Sequence, residues 1–421
     1  MDVLRRRSLL TAGLVAGAGA ALSGCSPARP ERRAAGFAPD DWDSVRAQFP
    51  LDPDLVHLAA FVLAAHPKPV RDAIEAHRAG LDADPEHYVQ EHHQAEDEVR
   101  QAAAAYLATE PGNVALTDST TMGLGLLYSG LNLNAGQEIL TTEHDFYATT
   151  EALRLASERT GATVRRVRLY DDPATANETE IVDRLRAAIG PRTRVVAVTW
   201  VHSGTGVRLP IPAIGEAVAE ANAGRPPADR ALLCVDGVHG FGAVDTDIGD
   251  LRCDFLSTGT HKWLFGPRGT GLLWGRQWDA LAPIIPTFAG DGSPGATFTP
   301  GGYHSFEHRW AVREAFEFHA AIGRDRIAAR IAEQATQLKE GLAGIDGVRV
   351  VTPASADLSA GIVCCDLSTM DAPTAAARLR AEHRIAASVT PYAELYLRFG
   401  PSIVTTPAQI EATIAAVGKL A

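Results

Sequence analysis

From residue 113 onward, short runs of β-branched and other apolar residues alternate with longer stretches of helical period. NVALT (113–117), EILTT (138–142), TVRRVRL (163–169), RVVAVTWV (194–201), ALLCVD (231–236), DFLST (254–258) and GLLW (271–274) read as strands. Between them, 121–131, 148–160, 178–189 and 213–223 read as helices. Several of the strand runs are apolar at nearly every position, as in strands buried on both faces. The alternation therefore predicts an α/β fold in which a mostly parallel sheet is covered on both faces by helices. In such sheets ligands collect at the C-terminal ends of the strands.

After residue 300 the pattern changes to a long helical stretch at 309–344, then VRVVTP, AGIVCCDL, a helix near 372–382 and LYLRFGP. This predicts a smaller C-terminal α+β domain over 306–421 beside a large domain, with an N-terminal arm, over 41–305. No internal repeat is visible.

The first residues break the pattern. Arg5, Arg6 and Arg7 precede an apolar stretch, Leu9 to Leu22, that is too short for a confident membrane span. RRSLL (6–10) resembles a twin-arginine export motif, and LSGC (22–25) resembles a lipobox with Cys25 as the acylated residue. Residues 1–24 thus read as a leader and 25–40 as a tether. The expectation is a protein exported by the twin-arginine route and anchored by lipid, facing the periplasm or cell exterior.

A formal net charge of -12 and the lack of a long basic run beyond the N-terminus argue against nucleic-acid binding. Besides Cys25, the chain has Cys234, Cys253, Cys364 and Cys365 in apolar, strand-like surroundings and without CxxC spacing. Cargo that folds in the reducing cytoplasm before export needs no disulfide framework. His87, His92, His93 and Glu96 in EHYVQEHHQAEDE read as a solvated helical face, and no metal site is expected.

The candidate chemistry lies at the predicted strand ends. After NVALT, Asp118, Ser119, Thr120 and Thr121 open a helix, where hydroxyls and free backbone N–H groups make an anion site. After EILTT come His144 and Phe146, placed so that a flat ring could stack on a flat ligand. ALLCVD ends on Asp236, a carboxylate that burial would oblige to find a cationic or protonated partner, and His239 follows. In STGTHKWLFGPRGTG (257–271), Lys262 sits between a histidine and a tryptophan. A phosphate site, a stacking ring, a buried aspartate and a lysine, in that order, are what holding pyridoxal phosphate requires.

These residues, in this order, resemble the class V aminotransferase family of pyridoxal-phosphate enzymes, and within it the isopenicillin N epimerase-like branch. The resemblance runs from VHLAAFVLAAHPKPVRDAI to YLRFGPSIVTTPAQIEATIAAV. It implies the fold type I of such enzymes and a homodimer whose loop TFTPGGYHSFEHRW (297–310) completes the neighbour's phosphate site. It implies Lys262 as the Schiff-base lysine, Asp236 as partner of the pyridine nitrogen and His144 as the stacking ring. Thr120, Thr121 and His261 are implied as phosphate ligands, His239 and Ser203 as partners of the phenolic oxygen, and Arg398 as the grip on the substrate α-carboxylate. Ser203 departs from the asparagine common in relatives. Gly259 stands where many have a phosphate-binding serine, so Thr258 or Thr260 is expected to substitute.

Cysteine desulfurases of this family use a mobile cysteine just before the arginine segment, yet HRIAASVTPYAELYLR (383–398) holds none. The reaction expected is transamination of an amino acid, with a 2-oxo acid as a second substrate. Epimerisation and C–S or other β-elimination remain open, since all three begin by removing the Cα proton. A different class, an exported binder of amino acid or cofactor without turnover, fits the intact Lys262, Asp236 and Arg398 less well. A hydrolase lacks a GxSxG elbow.

Overall fold

The computed structural model describes residues 36–287 and 292–421. The leader, Cys25 and most of the tether lie outside the described residues. Phe37–Ala421 forms one compact unit, and among the described residues no helix is long and apolar enough to cross a membrane.

A short strand, β1 (Val56–His57), precedes seven strands of a single sheet: β2 (Val114–Thr117), β3 (Glu138–Thr142), β4 (Thr163–Val167), β5 (Thr193–Thr199), β6 (Leu232–Asp236), β7 (Phe255–Gly259) and β8 (Gly271–Gly275). Their spatial order is β2-β8-β7-β6-β5-β3-β4. From β7 to β4 all neighbours are parallel, and β8 runs antiparallel between β7 and β2. The continuous apolar runs follow from two-sided burial. Val196 and Val198 pack with Leu140, Leu233 and Leu256 on one face, whereas Val195 and Ala197 pack with Ile139, Cys234 and Phe255 on the other. The mostly parallel sheet read from the sequence is thus present, with helices over both faces.

A second, antiparallel sheet follows, formed by β9 (Val348–Val350), β10 (Val363–Leu367), β12 (Ser388–Val389) and β13 (Leu397–Phe399), in the order β12-β13-β10-β9. Between them, β11 (Ile385–Ala386) pairs in parallel with β1. The long helix expected over 309–344 is in fact three helices, Phe306–Trp310, Val312–Ile322 and Arg324–Ala343. Gly323 has φ of 98°, a left-handed conformation open to glycine and incompatible with a continuing helix.

The strand order decides where chemistry can occur. Because β7, β6, β5 and β3 are consecutive parallel neighbours, their C-terminal ends line up along one edge. They carry, in that order, the segment after Gly259, Asp236, Thr199 and the segment after Thr142.

Candidate active site

A cavity of about 360 Å³ opens at this edge. Lys262, Asp236, Thr199 and Phe146 line it, as do Thr120, Thr121, His261, His239, Ser203 and Arg398. Among the residues singled out from the sequence, His144, Asp118, Thr258, Gly259 and Thr260 do not line it.

Lys262 lies in the connection from β7 to the antiparallel β8. The connection turns at once: Phe265 N–H donates to Lys262 O at 3.1 Å, and Phe265 is held at φ of 59° although it is 1% exposed. A left-handed aromatic is strained backbone, retained here by packing such as the edge contact with Phe49 at 5.1 Å. The Lys262 amine has no hydrogen-bonding partner among the described residues. Burial lowers its pKa to about 8, Asp236 opposes that shift, and Arg398 adds to it.

Asp236 ends β6 and is 1% exposed. Val238 N–H donates to its Oδ1 at 3.1 Å and Thr149 Oγ1 to its Oδ2 at 3.3 Å. Burial raises its pKa to about 6 against those bonds and the pull of Lys262. Next along the edge, Thr199 Oγ1 is buried without a partner. Thr149 and Thr199 are absent from the sequence-based list, since a lone threonine carries no motif.

His239 stays neutral, its pKa pushed well below the ordinary value by burial and by Lys262, Arg398 and His261. Trp263 Nε1–H donates to its Nδ1 at 3.4 Å, so the ring proton resides on Nε2.

At the end of β2, Ser119 caps the helix Thr120–Gly130 by accepting from Met122 N–H at 3.1 Å. Thr120 Oγ1 and His261 Nδ1 are both buried without partners. They surround a gap at Gly259, where a Cβ would stand 3.2 Å from Thr120 Oγ1 and 2.9 Å from His261 Cε1. Two orphaned polar atoms at a helix N-terminus, beside a glycine whose lack of a side chain leaves them uncovered, make a cradle suited to a phosphate. The expected substitutes for the missing serine are engaged elsewhere. Thr258 Oγ1 donates to Gly259 O at 3.2 Å, and the Thr260 hydroxyl bonds Thr270.

His144 does not line the cavity. Its ring stacks on Tyr170, with centroids 3.9 Å apart and planes at 10°, and its Nε2 accepts from Leu169 N–H at 3.3 Å. Burial, with His202 nearby, lowers its pKa to about 3. Two residues further on, Phe146 does line the cavity. Phe146 follows β3 and Lys262 follows β7, so they stand at opposite ends of the strand series with Asp236 and Thr199 between.

Arg398, on β13, is 6% exposed. Its Nη1 donates to Ser203 O at 3.0 Å, and its Nη2 to Ser388 Oγ at 3.0 Å and Val389 O at 3.1 Å. The guanidinium lies 4.9 Å from the ring centre of Phe61, and its Nε is buried without a partner. No carboxylate among the described residues pairs with it. Glu394, the acidic neighbour in sequence, accepts from Tyr396 OH instead. The Ser203 hydroxyl bonds Tyr392 OH at 2.7 Å.

Cys234, Cys253, Cys364 and Cys365 are free and buried. Burial raises the pKa of each, to about 12 for Cys253 and Cys364, which keeps the thiols protonated. In the helical face of His87, His92, His93 and Glu96, His92 stacks on Tyr88 at 4.0 Å and Glu96 pairs with Arg309 at 3.2 Å.

The family model for class-V aminotransferases matches residues 64–389. An isopenicillin N epimerase of Streptomyces clavuligerus is 30% identical over 343 residues, covering 77% of this chain and 83% of the relative. Another, of Amycolatopsis lactamdurans, is 29% identical over 346 residues, covering 76% and 82%. Among solved structures, a complex of the cystine C–S lyase C-DES with its product cysteine persulfide superposes with a TM-score of 0.81 at 22% identity. It covers 89% of this chain and 100% of that one. An apo cysteine desulfurase of Thermococcus onnurineus gives 0.78 at 19%, covering 90% and 97%. At these identities the structural likeness speaks for the fold.

Proposed function

The chain belongs to the class-V aminotransferase family, and on that premise we propose that it is a pyridoxal-phosphate enzyme that labilises the Cα–H bond of an α-amino acid, with inversion at Cα as the outcome. One observation carries the reading. A single cavity holds the unpartnered amine of Lys262 and the buried guanidinium of Arg398, which has no carboxylate among the described residues. A buried cation without a counter-ion is costly, so the site is built to receive an anion. An α-carboxylate matches the planar, two-pronged donor.

Pyridoxal phosphate supplies an electron sink for the pair left at Cα when the proton departs. The cradle of Thr120, Thr121, His261 and the helix N-terminus would hold the phosphate. Phe146 covers one end of the site. Asp236 would partner the pyridine nitrogen and hold its proton, while neutral His239, with Ser203 nearby, would donate from Nε2 to the phenolic oxygen. Lys262 would anchor the cofactor and would take the α-proton on Nζ; inversion then requires a proton to be returned to the opposite face of Cα. A depressed pKa suits that task, because more of the amine is neutral at working pH.

Inversion is favoured over transamination by the relatives named as epimerases. Sulfur transfer to an enzyme thiol is disfavoured by the thiol-free stretch before Arg398 and by the buried, protonated Cys364 and Cys365. Incubating the loaded enzyme with a panel of L-amino acids in deuterated water tests the reading. Deuterium at Cα together with D-enantiomer supports it. Deuterium with ammonia or sulfide release assigns elimination, and a 2-oxo acid requirement assigns transamination. Binding without exchange leaves only a binder. A homodimer and export by the N-terminal leader complete the proposal; the location of the mature protein after fractionation tests the latter.

A further inference from the structure

Arg398 is held by a closed ring of hydrogen bonds. On one side its Nη2 reaches Ser388 Oγ and Val389 O, at the start of the hairpin that leads from β12 to β13. On the other its Nη1 reaches Ser203 O, in the loop after β5. The ring is completed by Tyr392, at the tip of the same hairpin, whose hydroxyl meets Ser203 Oγ at 2.7 Å. The tip is itself fixed. Thr390 N–H donates to Tyr396 O at 3.0 Å, and Thr390 Oγ1 donates to Glu394 O and accepts from Tyr396 N–H, each at 2.8 Å. Gly204 admits the phenol ring, since a Cβ there would stand 3.0 Å from it, and the ring's edge contact with Phe146 spans 6.2 Å.

We infer that Tyr392 is a positioning residue for substrate binding: through Ser203 it aims the carbonyl that orients the guanidinium of Arg398 toward the incoming carboxylate. The inference rests on the proposed reading of Arg398 as the carboxylate grip. Ser203 is the joint, because its hydroxyl meets the tyrosine while its carbonyl meets the arginine. Without the phenol oxygen, the Ser203 side chain loses its anchor and the Arg398 fork loses a fixed direction. Bidentate recognition depends on that direction.

The test uses the cofactor-loaded enzyme and 2-aminoisobutyrate, an α-amino acid with no α-proton, so that the readout is equilibrium binding. Tyr392→Phe is expected to weaken its Kd roughly five- to tenfold, the worth of one neutral hydrogen bond. Cofactor absorbance and melting temperature stay unchanged. Ser203→Ala should weaken it similarly, the double variant no further, and Ser203→Thr should keep most of the affinity. In an Arg398→Ala background Tyr392→Phe should have no effect. An unchanged Kd, full additivity of the two losses, or an equal loss without Arg398 overturns the role. If the wild-type enzyme does not bind 2-aminoisobutyrate while Arg398 is intact, the carboxylate grip itself fails, and this role with it.

Discussion

Thr149 Oγ1 donates to Asp236 Oδ2 at 3.3 Å, so the carboxylate at the heart of the site is bonded by neutral donors, this hydroxyl and the Val238 N–H, and by no guanidinium or ammonium among the described residues. Its pKa is accordingly raised from 3.8 to about 6. The folded apo-protein thus holds that proton more tightly than the unfolded chain. The stability this contributes is complete below about pH 4 and is lost as pH rises through about 6. Asp236→Asn keeps the acceptor and removes the buried charge. The apo variant is therefore expected to be more stable than wild type at pH 7, by about 3 kcal/mol, and nearly equal to it at pH 3.5. Melting curves of the two apo-proteins at both values check this. In the loaded enzyme the same substitution should slow turnover by decades, because the pyridine nitrogen loses its charged partner.

The amine of Lys262 should be the point of attachment. A visible absorption band is expected in the purified protein, to be bleached by borohydride with the reduced adduct on Lys262 and on no other lysine. Lys262→Ala should be colourless. With a pKa lowered to about 8, cofactor capture by the apo-protein should quicken as pH rises and reach half its limit near 8. A half-point above 10, where an ordinary lysine titrates, would show that burial leaves the amine unperturbed.

Phe146 and His144 offer a sharper contrast. Phe146→Ala should release cofactor on gel filtration and broaden the visible band, because the ring that covers one end of the cavity is lost. His144→Ala removes a ring stacked on Tyr170, 3.9 Å away. It should cost about 1–2 kcal/mol in stability and leave the cofactor bound. The reverse result would return the stacking role to His144.

That contrast also shows where the sequence stops being informative. The strand ends are legible because two-sided burial forces β5 and β6 into nearly continuous apolar runs; Asp236 stands where the second run breaks, and Lys262 follows β7 by three residues. Which of two aromatic residues turns inward after β3 depends on the first turn of the helix Tyr147–Thr160 and on Tyr170, a residue far along the chain, so no local pattern decides it. The same holds for Thr149, Thr199 and Tyr392, common residue types whose importance comes only from what the fold brings beside them. Gly323 is visible as a letter, yet the left-handed backbone with which it divides the expected long helix is not.

Gly259 should tolerate no side chain. A Cβ there would press on the His261 ring at 2.9 Å and crowd Thr120 Oγ1 at 3.2 Å. Gly259→Ala is expected to weaken cofactor binding about tenfold, equivalent to ~1.4 kcal/mol, with little change in melting temperature of the apo-protein. Affinity measured by absorbance titration of apo-protein decides the matter. Wild-type affinity in the variant would place the phosphate elsewhere.

Arg398 carries the last expectation. Its guanidinium has three acceptors, an orphaned Nε and no carboxylate among the described residues. Removing it therefore breaks no ion pair in the free protein, and Arg398→Ala should not lower the melting temperature by more than the loss of a few hydrogen bonds and of the packing on Phe61. A substrate carboxylate, by contrast, would lose a desolvated charge partner worth roughly 2–5 kcal/mol. KM for the amino acid should rise steeply and kcat/KM fall by about two to three decades, with the visible band of the resting enzyme unchanged. Arg398→Lys should recover only part of the loss, because a point charge cannot reproduce a two-pronged grip. A variant that melts early but keeps its KM would make Arg398 a structural residue and leave the carboxylate without a grip in this chain.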